Sequence, residues 1–156
     1  MKKGSVGFAR AYAVLFLLLV LTQGLSAIGR GDFDAVVDFS ITMKEMAAAA
    51  EGTARLPSNR LFLLTGTVSD ISVLDKTPES YVVRIRLLSG EWIGLEDVKG
   101  YSCYVTFRGA EYAGLFPSKI PANSRLLVLA RAVEATTTPT GEKIMAVDGL
   151  AMRVLR

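Results

Sequence analysis

Residues 61–74 read LFLLTGTVSDISVL, a long and mostly apolar run with a single glycine, Gly66, in its interior. The run has the character of a buried β-strand. A glycine inside a strand indicates a bend or a bulge. The stretch therefore predicts one long, curved strand that can pair with both halves of a closed barrel.

Four more strands follow this one. Five strands, with the one long non-strand insertion (109–124) between the third and the fourth, is the order of an OB-type barrel. The shorter connections are turn-like, and the segment from 90 to 100 contains three glycines. The four strands are YVVRIRLLS (81–89), YSCYVTFR (101–108), RLLVLARAVEAT (125–136) and KIMAVDGLAMRVL (143–155).

The passages LFLLTGTVSDI, YVVRIRLL, YSCYVTF and IPANSRLLVLARAVEA with IMAVDGLAM resemble the bacterial tRNA-anticodon-like OB-fold family. The resemblance covers residues 61–155 and rests on strand and glycine patterns. It implies a mainly β fold, a five-stranded OB-fold barrel, in a small exported protein. One position departs from the family pattern. Ala130 stands where such domains often have glycine, so the small size is kept without the backbone freedom.

The segment before the strands predicts one short helix. Thr42 followed by Glu45 matches a capping box, and MKEMAAAAEG (43–52) is strong helix composition. Gly52 is a plausible end of this helix. Residues 33–40 fit either a short strand or the start of a helix.

The first 27 residues predict a secretory signal peptide. Lys2, Lys3 and Arg10 precede or adjoin an apolar run, AYAVLFLLLVL (11–21), and small residues allow cleavage after Ala27. The run is shorter than the about 20 residues of a membrane span, although an uncleaved anchor remains an alternative. We therefore expect a periplasmic or secreted protein with three parts: signal peptide 1–27, N-terminal segment 28–60 and OB-fold barrel 61–156.

The charge of the chain depends on this leader. The formal net charge is +3, but three of the 18 basic residues lie in the first 27 residues, which contain no acid. The remaining 15 basic residues balance the 15 acidic ones. Nucleic-acid-binding domains usually carry a clearly positive charge, so this balance predicts that nucleic acid is an unlikely partner.

Few residues offer catalytic chemistry. The chain has one cysteine and no histidine, which removes an internal disulfide and the commonest general base and zinc ligand. Strand alternation places Cys103 on the core face beside Val105, as a buried thiol rather than a nucleophile. No carboxylates have the spacing of a calcium loop. The sequence predicts no catalytic residue, no metal site and no cofactor.

The sharpest functional feature is a set of outward side chains on the second and third strands. If Val83, Ile85 and Leu87 face the core with Val105, alternation places three arginines and one tyrosine of these two strands on the outer surface of the sheet. Arginine binds phosphates and carboxylates, and an aromatic ring offers a stacking surface. Trp92, in the following loop, either caps the barrel end, the favoured reading, or anchors a ligand. The candidate ligand-binding residues are Arg84, Arg86, Tyr104, Arg108 and Trp92.

A plainer interpretation is a solvated sheet face whose arginines pair with Glu91, Glu96 or Glu134. With the leader and the lack of catalytic groups, the sequence favours an exported, non-enzymatic OB-fold binding module. The expected partner is a protein, a peptide or a small anionic ligand. The alternative is a single-stranded nucleic-acid-binding OB-fold protein, and a hydrolytic enzyme is the least favoured hypothesis.

Overall fold

The structure is a computed structural model that describes residues 36–57 and 59–155, so the predicted signal peptide lies outside the described residues. The described residues belong to one compact unit, which is mainly β with one short α-helix. No helix in this part of the chain is long and apolar enough to span a bilayer. The elements are β1 (Val37–Asp38), α1 (Met43–Ala50), β2 (Leu61–Asp75), β3 (Val82–Ile93), β4 (Asp97–Arg108), β5 (Arg125–Thr137) and β6 (Lys143–Leu155).

Helix α1 begins and ends as the sequence predicts. The Thr42 side chain accepts a hydrogen bond from the Glu45 backbone N–H, and the Glu45 side chain accepts from the Thr42 backbone N–H, which completes the capping box. Gly52 follows the helix with a φ of 79°, the left-handed conformation that ends many helices. The buried face of α1, which includes Met43 and Met46, packs into the same core as the long strands.

The long strands pair in a closed ring. The order in the sheet is β1-β2-β3-β4-β6-β5, and β5 also pairs with β2. The N-terminal half of β2 pairs with β5, from Leu61↔Arg131 to Thr67↔Arg125. Its C-terminal half pairs with β3, with an irregularity between Val68 and Asp70. This order agrees with the predicted OB fold, although the sheet has six strands because the two residues of β1 add a parallel edge to β2.

Gly66 lies where β2 changes partners, and the nearest irregularity in the pairing of β2 falls between Val68 and Asp70, so the bulge predicted at the glycine lies a little beyond it. A Cβ atom at Gly66 would lie 2.6 Å from the Leu88 carbonyl oxygen and 2.7 Å from the Leu87 Cγ. The φ of Gly66 is not in the left-handed region, so the backbone conformation does not require glycine here. The close approach of β3 does. The need for glycine at this position of the first long strand thus has a local steric cause.

The segment between the second and third predicted strands differs from the prediction. A connection was expected over 90–100, but β3 continues to Ile93 and β4 begins at Asp97. Only Gly94, with a φ of 77°, supplies the turn conformation. Gly90 and Gly100 lie within the strands as direct register partners. The result is a long two-stranded ribbon, so counting glycines overestimated the loop.

The core has the predicted composition. The inward sets on β3 and β4 are fully buried, which confirms the assignment of faces, and Ala130 is fully buried on β5. The insertion over 109–124 holds a 3₁₀ turn at Ala110–Tyr112. Its Tyr112 and Phe116 rings pack on Phe107 at centroid distances of 5.0 and 5.9 Å. The buried inward sets are Val83, Ile85 and Leu87 on β3, and Cys103, Val105 and Phe107 on β4.

Candidate nucleic-acid interface

The outward face of β3 and β4 is one continuous surface, because their register has no shift from Val82↔Arg108 to Ile93↔Asp97. Side chains alternate along each strand, so the even-numbered residues of both strands share this face. We call it the β3–β4 outer face. It carries three arginines and no acid. Its members are Val82, Arg84, Arg86, Leu88, Gly90 and Trp92 on β3, and Val98, Gly100, Ser102, Tyr104, Thr106 and Arg108 on β4.

Arg84 and Tyr104 form the centre of this face. The Arg84 guanidinium carbon lies 5.5 Å from the centroid of the Tyr104 ring, a cation–π distance. Arg84 makes no ion pair within residues 36–57 and 59–155. Its Nε atom is shielded from solvent and has no hydrogen-bond partner there. The pair therefore places a guanidinium and an aromatic ring together on this face, and Asp70 of β2, the register partner of Arg86, lies beside them.

Arg86 and Arg108 occupy the two sides of that pair, and each has an acidic partner. The Arg86 Nη2 atom lies 2.7 Å from a Glu142 carboxylate oxygen and donates to the Ser102 hydroxyl at 3.0 Å. Arg108 donates to Asp148, which also has Arg131 within 3.6 Å. The expected partners were Glu91, Glu96 and Glu134, and this expectation is wrong for these two arginines. Glu142 lies in the turn before β6 and Asp148 lies on β6, so both come close to these arginines only when β6 pairs with β4.

Trp92 lies on the same outer face, near the end of the ribbon, and directly opposite Val98. Its side chain is 70% exposed. It therefore does not cap the end of the ring of strands, and the favoured interpretation of this residue is wrong. The error arose because the ribbon extends beyond the body, where an apolar side chain has no core to enter.

Glu91 lies on the reverse of the ribbon and ties it to α1. The Lys44 ammonium lies 3.2 Å from a Glu91 carboxylate oxygen, and the Tyr101 hydroxyl donates to Glu91 at 3.0 Å. The hydrogen bonds from Lys44 and then from Tyr101 hold the pKa of the Glu91 carboxyl below its usual range. Sequence spacing gave no signal for this cluster, since Lys44 and Glu91 are far apart in the chain.

Cys103 is enclosed in the core, as the sequence predicts. Its side chain is fully buried, and burial raises the pKa of the thiol to about 12. At neutral pH the thiol is therefore protonated and out of reach of reagents. Among the described residues no group of three or more His, Cys, Asp or Glu is arranged to hold a metal ion.

A thiol-labelling experiment tests this environment. In native buffer at pH 8 we expect no reaction of Cys103 with Ellman's reagent on the time scale of minutes, since the thiolate is scarce and buried. In denaturant one thiol per chain should react, because the sequence contains one cysteine. Rapid stoichiometric labelling of the native protein would contradict the burial of Cys103.

Comparisons with known proteins give structural matches alone. No family model matches the chain, and no curated protein matches it. The resemblance to the tRNA-anticodon-like family therefore stays a prediction, while the similar structures described next are consistent with the OB fold.

Three solved structures are similar to the chain. One is the wild-type single-stranded DNA-binding protein from Thermus aquaticus, with 13% identity and a TM-score of 0.44, covering 62% of this chain and 49% of that one. A second is the Plasmodium falciparum SSB in complex with ssDNA, with 16% identity and a TM-score of 0.46, covering 65% and 99%. A third is the protein PriB from Ralstonia solanacearum, with 11% identity and a TM-score of 0.44, covering 62% and 97%. The chain thus spans about half the length of the Thermus protein.

These matches correct the functional expectation. A binding module for a protein, a peptide or a small anionic ligand was favoured, with nucleic acid as an unlikely partner. Similar structures that are single-stranded DNA-binding proteins contradict that ranking. The physical reason is that a net charge near zero is an average over the chain, and it carries no information on local features such as the Arg84–Tyr104 pair of the β3–β4 outer face. The charge balance by itself therefore does not exclude a nucleic-acid partner.

Proposed function

We propose that the protein binds single-stranded nucleic acid on the β3–β4 outer face of a five-stranded OB-fold barrel. The observation that carries the proposal is the Arg84–Tyr104 pair on a strand face that has three arginines. Bases stack on aromatic rings and on guanidinium planes, and phosphates pair with arginine. This surface supplies both groups within one layer.

The ion pairs beside Arg84 and Tyr104 do not prevent phosphate binding. Arg86 and Arg108 are paired with Glu142 and Asp148 at the protein surface, where such pairs contribute about 0–1 kcal/mol each. A phosphate oxygen that replaced either carboxylate would therefore displace a weak interaction. It would also release the acid to solvent, where a charged carboxylate is well hydrated.

The unsatisfied donors point in the same direction. The Nε atoms of Arg84 and Arg86 are shielded from water and lack a hydrogen-bond partner among the residues described. Leaving a buried donor unpaired costs about 1–3 kcal/mol. An acceptor brought by a ligand, after a small shift of the side chains, would remove this cost. Phosphate oxygens and base carbonyls are such acceptors.

The base-stacking part of the proposal predicts the effect of Tyr104→Ala. Loss of one stacking ring costs about 1–3 kcal/mol, so we expect the Kd for a labelled single-stranded oligonucleotide to rise about 5- to 150-fold. Fluorescence anisotropy at low salt measures this. Unchanged affinity in Tyr104→Ala would contradict stacking on this ring.

The phosphate part predicts the effect of Arg84→Ala on salt dependence. Loss of one phosphate contact should lower the slope of log Kd against log salt by about 1, with little dependence on base sequence. Arg153→Ala is the matched control, because Arg153 is an exposed arginine on β6 and not on the outer face. Absence of salt-sensitive binding to the unaltered protein would overturn the proposed function.

We also propose that the protein acts outside the cytoplasm as a non-enzymatic binder. The export proposal rests on the sequence pattern of residues 1–27. Expression in a bacterial host, fractionation and intact-mass measurement test it. A mature chain that begins after Ala27 in the periplasm or medium supports export, and an intact chain confined to the cytoplasm contradicts it.

A further inference from the structure

We propose that the nucleic-acid strand continues from Tyr104 across a glycine gap to Trp92, so that the ribbon tip binds a second base. This inference rests on the proposed function and extends its site. The first observation is that Trp92 and Tyr104 lie on the same continuous face of one ribbon, whose register is unbroken. The ligand of this surface is an extended single strand of nucleic acid.

Two glycines form the stretch between the two aromatic residues; the Val98 side chain lies close to Gly90, where a Cβ atom would be 3.0 Å from its Cγ1, and Gly100 is open. Gly90 and Gly100 are direct register partners and lie between the Leu88–Ser102 and Trp92–Val98 pairs. Neither glycine has a positive φ, so neither serves a turn. A Cβ atom added at Gly100 would meet nothing within 4 Å. A glycine with no packing role inside a strand often marks a place where a ligand or another backbone approaches closely.

The length of the ribbon fits a short strand of nucleic acid. Tyr104 and Val98, the register partner of Trp92, are separated by six residues of β4. At about 3.4 Å per residue they lie about 20 Å apart. Stacked bases are spaced by about 3.4 Å and an extended strand advances further per nucleotide, so at most about six nucleotides lie between the two aromatic residues. This number lies within the about 4–16 nucleotides that one OB fold binds.

Two of the three acids of the ribbon tip lie away from the outer face, and the third, Glu96, lies in the turn beyond Trp92. Glu91 and Asp97 are odd-numbered and project from the reverse side, where Glu91 is held by Lys44 and Tyr101. An anionic lipid surface would meet these acids if the whole tip were inserted. A single strand lying along one face avoids them, so the charge distribution favours nucleic acid over a membrane.

The fluorescence of Trp92 gives a direct test, since it is the one tryptophan in the sequence. We expect a ten-nucleotide oligothymidine to quench the emission of the unaltered protein. Trp92→Ala should weaken binding of the same oligonucleotide about 5- to 150-fold, and Trp92→Phe should restore much of the affinity. Leu95→Ala, which alters an exposed apolar residue of the turn, serves as the control with unchanged binding.

A second variant tests the glycine gap without removing a contact. Gly100→Val should fold normally, because its side chain enters open space, but it should weaken oligonucleotide binding at least tenfold by filling the path. If Tyr104→Ala weakens binding while Trp92→Ala and Gly100→Val bind as tightly as the unaltered protein, the extension is wrong and the proposed function stands. If the unaltered protein binds no oligonucleotide, both are wrong. A Trp92 emission shift with phosphatidylcholine vesicles instead of oligonucleotide would also overturn the extension.

Discussion

Replacing Val105 by aspartate is expected to remove most of the stability of the protein. Val105 is fully buried and lies in register between Ile85 of β3 and Val147 of β6, which are also buried. A carboxylate at this position would have no water around it, and an uncompensated buried charge costs about 3–5 kcal/mol. Small domains have about 5–15 kcal/mol of stability in total. Urea unfolding followed by circular dichroism measures the loss.

Leu95→Asp is the matched control for Val105→Asp. It introduces the same carboxylate in place of another aliphatic residue, but the Leu95 side chain is 99% exposed in the turn of the ribbon. Surface substitutions of this kind change the free energy of unfolding by about 0.5 kcal/mol or less. If Val105→Asp unfolds at the same urea concentration as Leu95→Asp, the assignment of inward and outward faces on β4 is wrong.

The second large effect is expected from Gly66→Ala. The added methyl group would approach the Leu88 carbonyl oxygen to 2.6 Å, and that atom belongs to the backbone of β3 and cannot rotate away. Relief requires the two strands to separate where β2 passes from β5 to β3. Overpacking of this kind costs about 1–3 kcal/mol and occasionally more. We expect a lower midpoint of urea unfolding.

Gly100→Ala provides the comparison for Gly66→Ala, because it makes the same substitution at another strand glycine. A methyl group at Gly100 meets nothing within 4 Å, and neither glycine has a positive φ. Alanine at Gly100 should therefore leave stability unchanged or raise it slightly. Equal stability of the two variants would show that the close approach at Gly66 is not present in solution.

The strands and faces could be predicted because they depend on local patterns. Alternation along β3 and β4 identified the buried sets, and the interior glycine of the first long run marked the place where β2 passes from β5 to β3. Thr42 and Glu45 gave the helix start, since a capping box is a four-residue signal. Each of these inferences uses residues that are neighbours in sequence, so the chain itself carries the information.

The errors concern contacts between residues far apart in the chain. Glu142 and Asp148 became the partners of Arg86 and Arg108 because β6 lies beside β4, a pairing that no local pattern specifies. The extension of the ribbon through Gly90 and Gly100 was missed because glycines also mark loops. Total charge gave no information on how charge is distributed over the surface. The exposed position of Trp92 was missed for the same reason, because Trp92 lies on the part of β3 that was expected to be a loop.

The pairing of β2 with β5 also determines the order in which the chain can fold. Leu61 contacts Arg131 and Thr67 contacts Arg125, so closing the ring costs the entropy of a loop of roughly 60 residues. Such non-local contacts slow folding. Until β5 arrives, the apolar start of β2 has an open edge that another molecule can join, so refolding yield should fall as protein concentration rises. Among the pairings of the long strands, that of β2 with β5 joins the residues that are farthest apart in the chain.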